Sequence, residues 1–156
     1  MNKIGVLVHD LAPSPKNVEL LRELRKLIEQ DPQQSLTIFY QNVTPHLGTY
    51  PYSTLSYQEL WCFDGVVITT SIENTLNALQ VPGIHRIVFY SYNLEWLHNG
   101  VGAAGPTPHN KLREVYCNPL VDVVARSPAH QKIIANNFNR SSRLCENFSI
   151  KELINV

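Results

Sequence analysis

The chain has 156 residues, 44% of them hydrophobic, which is enough for one globular domain with a substantial core. Its 13 basic residues equal its 13 acidic residues, so the formal net charge is zero and no field draws it to nucleic acid or an anionic membrane. No apolar run is long enough to span a bilayer, and the first strand begins at once. We therefore expect a single cytoplasmic domain, residues 1–156, without a signal peptide.

The cysteines and histidines do not suggest a disulfide framework or a metal site. The three cysteines, Cys62, Cys117 and Cys145, are odd in number and widely spaced, which suits a reducing compartment. The six histidines show no H-x-x-x-H or H-E-x-x-H spacing, and no two cysteines are close together. No metal is expected.

An apolar run that ends at a helix-capping residue recurs along the chain. In residues 122–130, Val123 to Ala125 predict a buried strand, Ser127 a helix cap and Pro128 the first helical position. The same pattern occurs at three earlier places, 6–15, 66–71 and 87–93. Strands that lead directly into helices are typical of a parallel sheet covered by helices.

In chain order, the first elements are two strands joined by a long helix. Lys3 to His9 is a continuous apolar run, which predicts a central strand buried on both faces. Residues 15–30 carry an apolar stripe at helical spacing, and Pro32 ends that helix. Leu36 to Tyr40 predicts the second strand, and residues 43–55 are irregular because proline and glycine punctuate them.

The remaining elements continue the alternation. Ser56 with Glu59, and Thr70 with Glu73, have the spacing of capping boxes, which begin helices. The pattern predicts strands at 66–69, 86–90, 120–125 and 144–147, and helices or helical turns at 56–61, 70–79, 94–97, 111–117 and 129–138. The predicted fold is α/β and Rossmann-like, with three layers and a mostly parallel sheet of about six strands flanked by helices.

The segment from His98 to Asn110 has three glycines and two prolines, which predicts a loop long enough to act as a lid. Its residues 100–105 match the letters G-x-G-x-x-G, with Asp122 seventeen residues further on. A dinucleotide fingerprint must lie directly between a strand and a helix, whereas residues 93–99 intervene here. The first turn, residues 10–15, has no glycine to cradle a phosphate, and the chain has no P-loop. No cofactor is expected.

Polar residues follow four of the predicted strands. Because parallel strands share one direction, these turns meet at one edge of the sheet, where open α/β sheets usually bind ligands. Helix N-termini there favour a polar or anionic group, Arg126 adds a positive charge, and His109 could reach inward from the loop. The candidate ligand-binding residues are Asp10, Thr69, Ser71, Ser91, Asn93, His109, Arg126 and Ser127. The alternative is that the serines and threonines act only as helix caps. No catalytic set is apparent.

The last third of the chain resembles a known family. Residues 122–127, a helix ending near Phe138 and residues 144–153 resemble the end of the N-terminal Rossmann-like domain of GT-B glycosyltransferases. In that family a strand runs into a serine, a helix follows, and a last strand leads to a second domain. Residues 3–7 and 64–69 are similar to earlier strands of the same domain. The glycine-rich first loop usual in the family is absent, and the chain ends where the donor-binding domain would begin.

The resemblance implies an acceptor-side domain without its donor half, which should not transfer sugar alone because the cleft is incomplete. The first hypothesis is a non-catalytic binding or interaction module. The alternatives are a subunit of a split or oligomeric glycosyltransferase and a small stand-alone enzyme acting on a nucleotide or sugar. Expected partners are another protein or a second copy, through the apolar tail residues, and a sugar or other polar small ligand. The tail residues are Phe148, Ile150, Leu153 and Ile154. The stretch from Tyr50 to Trp61 is another candidate surface.

Overall fold

The structure is a computed structural model that describes residues 3–42, 51–98 and 109–155. Within these residues seven parallel strands form one sheet. In chain order they are β1 (Ile4–Val8), β2 (Leu36–Tyr40), β3 (Ser53–Ser56), β4 (Gly65–Thr69), β5 (Ile84–Ser91), β6 (Val121–Ala125) and β7 (Arg143–Leu144). Across the sheet their order is β3-β2-β1-β4-β5-β6-β7. The chain leaves β1 in one direction and returns at β4 on its other side, which makes β1/β4 the topological switch point.

Helices cover both faces of the sheet. They are α1 (Pro15–Gln30), a 3₁₀ helix (Tyr57–Cys62), α2 (Ile72–Leu79), α3 (Glu95–His98), α4 (His109–Tyr116), α5 (Pro128–Phe138) and α6 (Ile150–Ile154). The core under α1 and α6 forms one apolar cluster, and the core under the 3₁₀ helix, α2, α4 and α5 forms another. The predicted three-layer, Rossmann-like α/β fold is confirmed. No helix among the described residues is long and apolar enough to cross a membrane.

The central strand β1 is buried along its whole length, as its continuous apolar sequence predicts. Its side chains alternate between the two cores, so that Leu7 packs on one face and Val6 on the other. Gly5 interrupts this run because the rings of Phe39 and Phe63 lie directly over it, and an added Cβ would come within 3.1 Å of Phe63. The glycine therefore lets two aromatic rings approach the sheet.

Serine hydroxyls cap four of the helices. Each accepts a hydrogen bond from the backbone N–H three residues further on: Ser14 from Asn17, Ser71 from Asn74, Ser127 from His130 and Ser149 from Glu152. The predicted cap at Thr70 is wrong by one residue, because Ser71 has the extended backbone that an N-cap needs. Ser56 begins the 3₁₀ helix, but its side chain makes no capping bond.

Several predicted boundaries are corrected by the structure. The irregular stretch 43–55 contains part of the edge strand β3, whose small polar residues have no apolar pattern to reveal it. The predicted strand 144–147 is the two-residue β7, because the chain turns after Leu144. The loop 98–110 is shortened by α3 and α4, and its glycine pattern lies outside the described residues, as does Tyr50.

An ion-pair cluster near the amino ends of β5, β6 and β7 anchors the C-terminal helix α6. Asp122 in β6 accepts hydrogen bonds from Arg86 in β5 and Arg143 in β7, at 2.5 and 2.7 Å. The same two guanidinium groups donate to the backbone carbonyls of residues 152–154 in α6. Positive charges at a helix C-terminus are stabilising. Asp122 therefore holds the sheet to α6. The acidic residue that follows the glycine pattern of residues 100–105 thus has a structural role.

The apolar tail folds back on its own domain. Phe148, Ile150 and Leu153 are buried, and the Phe148 ring meets Tyr90 edge to face at a centroid distance of 5.0 Å. Ile154 packs against the same core. These side chains are covered by the chain itself, and self-association of the protein stays a prediction.

We predict that Asp122→Asn lowers the free energy of unfolding by about 1.5–3 kcal/mol at neutral pH, the usual contribution of hydrogen bonds to a charged group. Although burial raises the pKa of Asp122, the hydrogen bonds from Arg143 and Arg86 hold it below its ordinary value. With the folded-state pKa depressed, the stabilisation is present above the unfolded-state value of about 3.9 and lost as the pH falls through the folded-state pKa.

Urea unfolding of wild type and variant from pH 7 to pH 2 measures this difference, with the exposed Glu29→Gln as the control. We expect the two stability curves to converge in acid. A gap that stays constant over the whole range would contradict the assigned role of Asp122.

Candidate functional site

The turns after β1, β4, β5 and β6 meet at the carboxyl edge of the sheet, as the parallel topology requires. The predicted convergence of residues 10–14, 69–71, 91–93 and 126–127 is thus a feature of the fold. Whether each residue can meet a ligand depends on what its side chain already contacts.

The first turn, between β1 and α1, is held by side-chain bonds instead of glycines. The Asp10 Oδ1 accepts from the backbone N–H of Ala12 at 2.9 Å. The buried Asn17 amide donates to the carbonyls of Asp10 and Ala12, at 3.1 and 2.8 Å. Because the Ala12 N–H is already bonded, it is not available to a phosphate. Asp10 therefore shapes this turn, in agreement with its sequence position at a strand end.

The side chain of Lys16 extends from the first turn of α1 across the switch point to the β4–α2 turn. Its Nζ donates to the backbone carbonyl of Thr70, 54 residues further along the chain, at 3.1 Å. A positive charge in the first turn of a helix opposes the helix dipole, so this position is unfavourable for local structure alone. Burial lowers the pKa of Lys16, while the nearby Glu95 carboxylate opposes that shift.

Glu95 approaches the same turn from the other side. It is the first residue of α3, and its Oε2 accepts from the backbone N–H of Ile72 at 3.4 Å. Burial raises the pKa of Glu95, against the opposing effects of Lys16 and the Ile72 N–H. Within the described residues Lys16 and Glu95 form no direct ion pair. The two charges thus flank the β4–α2 turn without neutralising each other by contact.

Arg126 lies at the same edge, with its guanidinium over the Tyr92 ring at 4.4 Å from the ring centroid. Burial raises the pKa of Tyr92, and the neighbouring Glu19 carboxylate adds to this effect while Arg126 opposes it. Arg126 itself is exposed. Its cation is therefore positioned by an aromatic ring and open to solvent.

Besides Asp10, three further candidate residues are already bonded within the fold. Thr69 is buried, and its Oγ1 meets the Thr75 Oγ1 at 2.7 Å. Ser71 and Ser127 cap α2 and α5. The alternative explanation, that the polar residues serve as caps, accounts for these two serines. Asn93 is exposed in the turn after β5.

Ser91, at the end of β5, is fully buried. Its hydroxyl and the indole N–H of Trp96 lie beside the Tyr116 hydroxyl, and hydrogen bonds with both oppose the rise in the Tyr116 pKa that burial causes. His109 begins α4, where its ring stacks on Phe138 at a centroid distance of 6.4 Å. Phe138 in turn stacks on Tyr116, so His109 lies against this aromatic group.

No pattern in the sequence was taken to mark Lys16, Glu95, Trp96 or Tyr116 as site residues. One signal was available: Lys16 places a positive charge in the first turn of an otherwise well-capped helix, against the helix dipole. Glu95 had no such signal, since a carboxylate at a helix start is ordinary. Within the described residues no three or more histidine, cysteine, aspartate or glutamate side chains come together as a metal site would require.

Comparison with known proteins gives no assignment. No protein-family model matches the chain, and no curated protein matches it. A solved structure described as an NAD-dependent epimerase/dehydratase from Methylobacillus flagellatus is similar with a TM-score of 0.47 at 12% identity. The match covers 86% of this chain, which spans only 59% of that one. A likeness at this level carries no functional argument.

We predict that Asp10→Ala and Arg126→Ala differ in their effect on stability. Asp10→Ala removes bonds that hold the first turn and should lower the free energy of unfolding by about 1 kcal/mol. Arg126→Ala removes an exposed cation and should change it by less than about 0.5 kcal/mol. Thermal and urea unfolding measure both. An equal loss in the two variants would show that Arg126 is part of the architecture.

Proposed function

We propose that this protein is a stand-alone Rossmann-like domain that binds a small polar ligand of the sugar class at the carboxyl edge, between the turns after β1, β4 and β5. The observation that carries this proposal is the placement of Lys16 and Glu95. They reach the switch point from two different helices, both partly buried, and neither neutralises the other by direct contact. Open α/β sheets bind their ligands at this place.

Each of these two charges makes one hydrogen bond to the backbone of the β4–α2 turn, Lys16 to the Thr70 carbonyl and Glu95 to the Ile72 N–H, and neither is paired with an opposite charge by direct contact. Burying opposite charges without a close ion pair costs desolvation that their attraction does not fully offset. Both pKa values are moved toward neutrality, the Lys16 value down and the Glu95 value up, and groups with such shifts cluster at functional sites. A ligand hydroxyl between them could accept from the ammonium and donate to the carboxylate.

The charge balance of the edge favours a neutral ligand. The two cations Lys16 and Arg126 are outnumbered by carboxylates: Glu95 lies near Lys16, Glu73 acts on Glu95, Glu19 lies near Tyr92, and Asp10 lies in the first turn. Tyr92 and Trp96 add aromatic surface at the end of β5. A neutral molecule with many hydroxyl groups fits this combination better than a phosphate, for which the first turn has no free backbone cradle.

In the catalytic form of the proposal, Glu95 accepts a proton from a ligand hydroxyl and Lys16 stabilises the charge that develops on that oxygen. A carboxylate with a raised pKa is suited to general-base catalysis near neutral pH. The partly buried position of both side chains would strengthen their electrostatic effect on the bound group.

The second candidate is a non-catalytic acceptor-side module like the N-terminal domain of GT-B glycosyltransferases, alone or as a subunit of a split enzyme. The structure of the turn between β1 and α1 favours this module over a nucleotide-dependent enzyme. That turn lacks glycine, is held by Asp10 and Asn17, and is bridged to the β4–α2 turn by Lys16. Nucleotide-sugar donors would then bind only when a donor domain is supplied by another chain.

Titration calorimetry with D-glucose, D-mannose, N-acetyl-D-glucosamine, UDP-glucose and GDP-mannose tests the proposal. We expect at least one free sugar to bind, and the nucleotide sugars to bind no more tightly than that sugar. Glu95→Gln keeps the shape of the side chain and should weaken binding by about tenfold, since it removes a charged acceptor. The exposed Lys132→Met is the matched control and should bind like wild type.

The possible outcomes separate the candidates. Low-micromolar binding of UDP-glucose or GDP-mannose would overturn the sugar-site proposal in favour of a nucleotide site. Absence of binding by every sugar in the panel would overturn it as well. Sugar binding without turnover of the bound sugar would support the non-catalytic module.

A further inference from the structure

A cavity of about 300 Å³ lies between the second half of α1 and the start of α6. Its walls are formed by Glu23, Lys26, Leu27 and Gln30 of α1 and by Ser149 and Lys151 at the start of α6. Leu27 is buried and belongs to the core beneath the two helices, whereas the other lining side chains are polar or charged. The volume is at the lower end of the range for small-molecule sites, so it suits a ligand with few heavy atoms.

This cavity is separate from the ligand site proposed at the carboxyl edge. Lys16 is in the first turn of α1, and Lys26 follows it by ten residues, about 15 Å along the helix axis. Neither Lys16 nor Glu95 lines the cavity. Its chemistry can therefore be considered independently of the proposed function.

The charged groups of the lining leave one positive charge without a partner. The Lys26 Nζ donates to the Glu23 Oε1 at 2.6 Å, so these two charges compensate each other. Among the residues that the structure describes, Lys151 makes no ion pair. Two ammonium groups and one carboxylate give the lining a net charge of +1. A ligand with a single negative charge is complementary to it.

The remaining polar groups offer both hydrogen-bond donors and acceptors. The Ser149 Oγ accepts from the Glu152 N–H at 3.5 Å, and a hydroxyl that accepts in this way keeps its own proton to donate. The Gln30 amide both donates and accepts, and the Glu23 carboxylate has a second oxygen besides the one bonded to Lys26. Ligand hydroxyl groups, which also donate and accept, match these side chains.

We propose that this cavity binds a small hydroxy acid, a monocarboxylate that also carries hydroxyl groups. The carboxylate of the ligand accepts from Lys151 and from the Ser149 hydroxyl. Its hydroxyl groups bond to Glu23 and Gln30, and its carbon chain covers Leu27. A phosphate group, with a charge of about −1.5 to −2 at neutral pH, exceeds the charge of the lining and fits less well. The bound acid joins α1 to α6.

D-gluconate and D-glucitol are the probes, because they differ only in the carboxylate that replaces one CH₂OH group. Two-dimensional NMR of the amide groups, recorded at constant ionic strength, measures both the binding and its place. We expect D-gluconate to shift the resonances of residues 23–30 and 149–151, and D-glucitol to leave them unchanged. Because the cations are exposed, the dissociation constant should be about millimolar.

Lys151→Met removes the unpaired charge from the cavity and keeps a side chain of similar length. It should weaken D-gluconate binding by about fivefold, the upper value for an exposed charge pair. The matched control is Lys132→Met, which changes the net charge by the same amount at an exposed position of α5 outside the cavity. This control should bind D-gluconate like wild type.

Several results would overturn the hydroxy-acid site. Equal affinity for D-glucitol and D-gluconate would show that the carboxylate is not recognised. Wild-type affinity in Lys151→Met, an equal loss in both lysine variants, or no D-gluconate shifts at residues 23–30 and 149–151 would also overturn it. So would tighter binding of inorganic phosphate than of D-gluconate at these residues. None of these results bears on the proposed function, because no group at the carboxyl edge is changed.

Discussion

The shared direction of the seven strands is the constraint on which the rest of the structure depends. Because every strand pair is parallel, the turns after β1, β4, β5 and β6 open at one edge, and the Asp122 cluster lies toward the other. The reversal of strand order at β1 and β4 separates their turns and creates the place where Lys16 and Glu95 approach each other. Serine caps and ion pairs hold the helices against this sheet, and the order of its strands determines which side chains lie close together.

The polar groups at the carboxyl edge divide into those that hold the fold and those that it leaves incomplete. Ser71 and Ser127 cap helices, and Asn17 fixes the first turn. Ser91 is fully buried beside Tyr116, and within the described residues Lys16 and Glu95 form no direct ion pair. The proposed ligand site rests on the two charges, because burying opposite charges without a close ion pair costs desolvation.

Much of the fold could be predicted from the sequence, since continuous apolar runs and serine or proline at helix starts are local signals. The strand β3 had no such signal, because Ser53 and Thr54 are small and polar and the strand lies at the edge of the sheet. Topology alone predicted that the turns after four strands meet at one edge, as they do; binding of a ligand at that edge stays a prediction. The closeness of Glu95 and Tyr116 was not predicted, because these residues come together through packing between α3, α4 and β5, which no spacing in the sequence encodes. Asp10 shows the opposite case, since its position was predicted and its side chain proves to be bonded within the turn.

The central claim is that ligand binding takes place at the carboxyl edge between the turns after β1, β4 and β5. Two-dimensional NMR of the amide groups, recorded while D-glucose, D-mannose or N-acetyl-D-glucosamine is added, tests it most directly. The account predicts that the shifted resonances belong to residues in the turns at 10–14, 70–72 and 91–95, with those around Asp122 unchanged. Shifts confined to the edge strand β3 and the exposed Trp61, or to the surface lined by Glu23, Lys26 and Gln30 of α1 and by Ser149 and Lys151 at the start of α6, would contradict it.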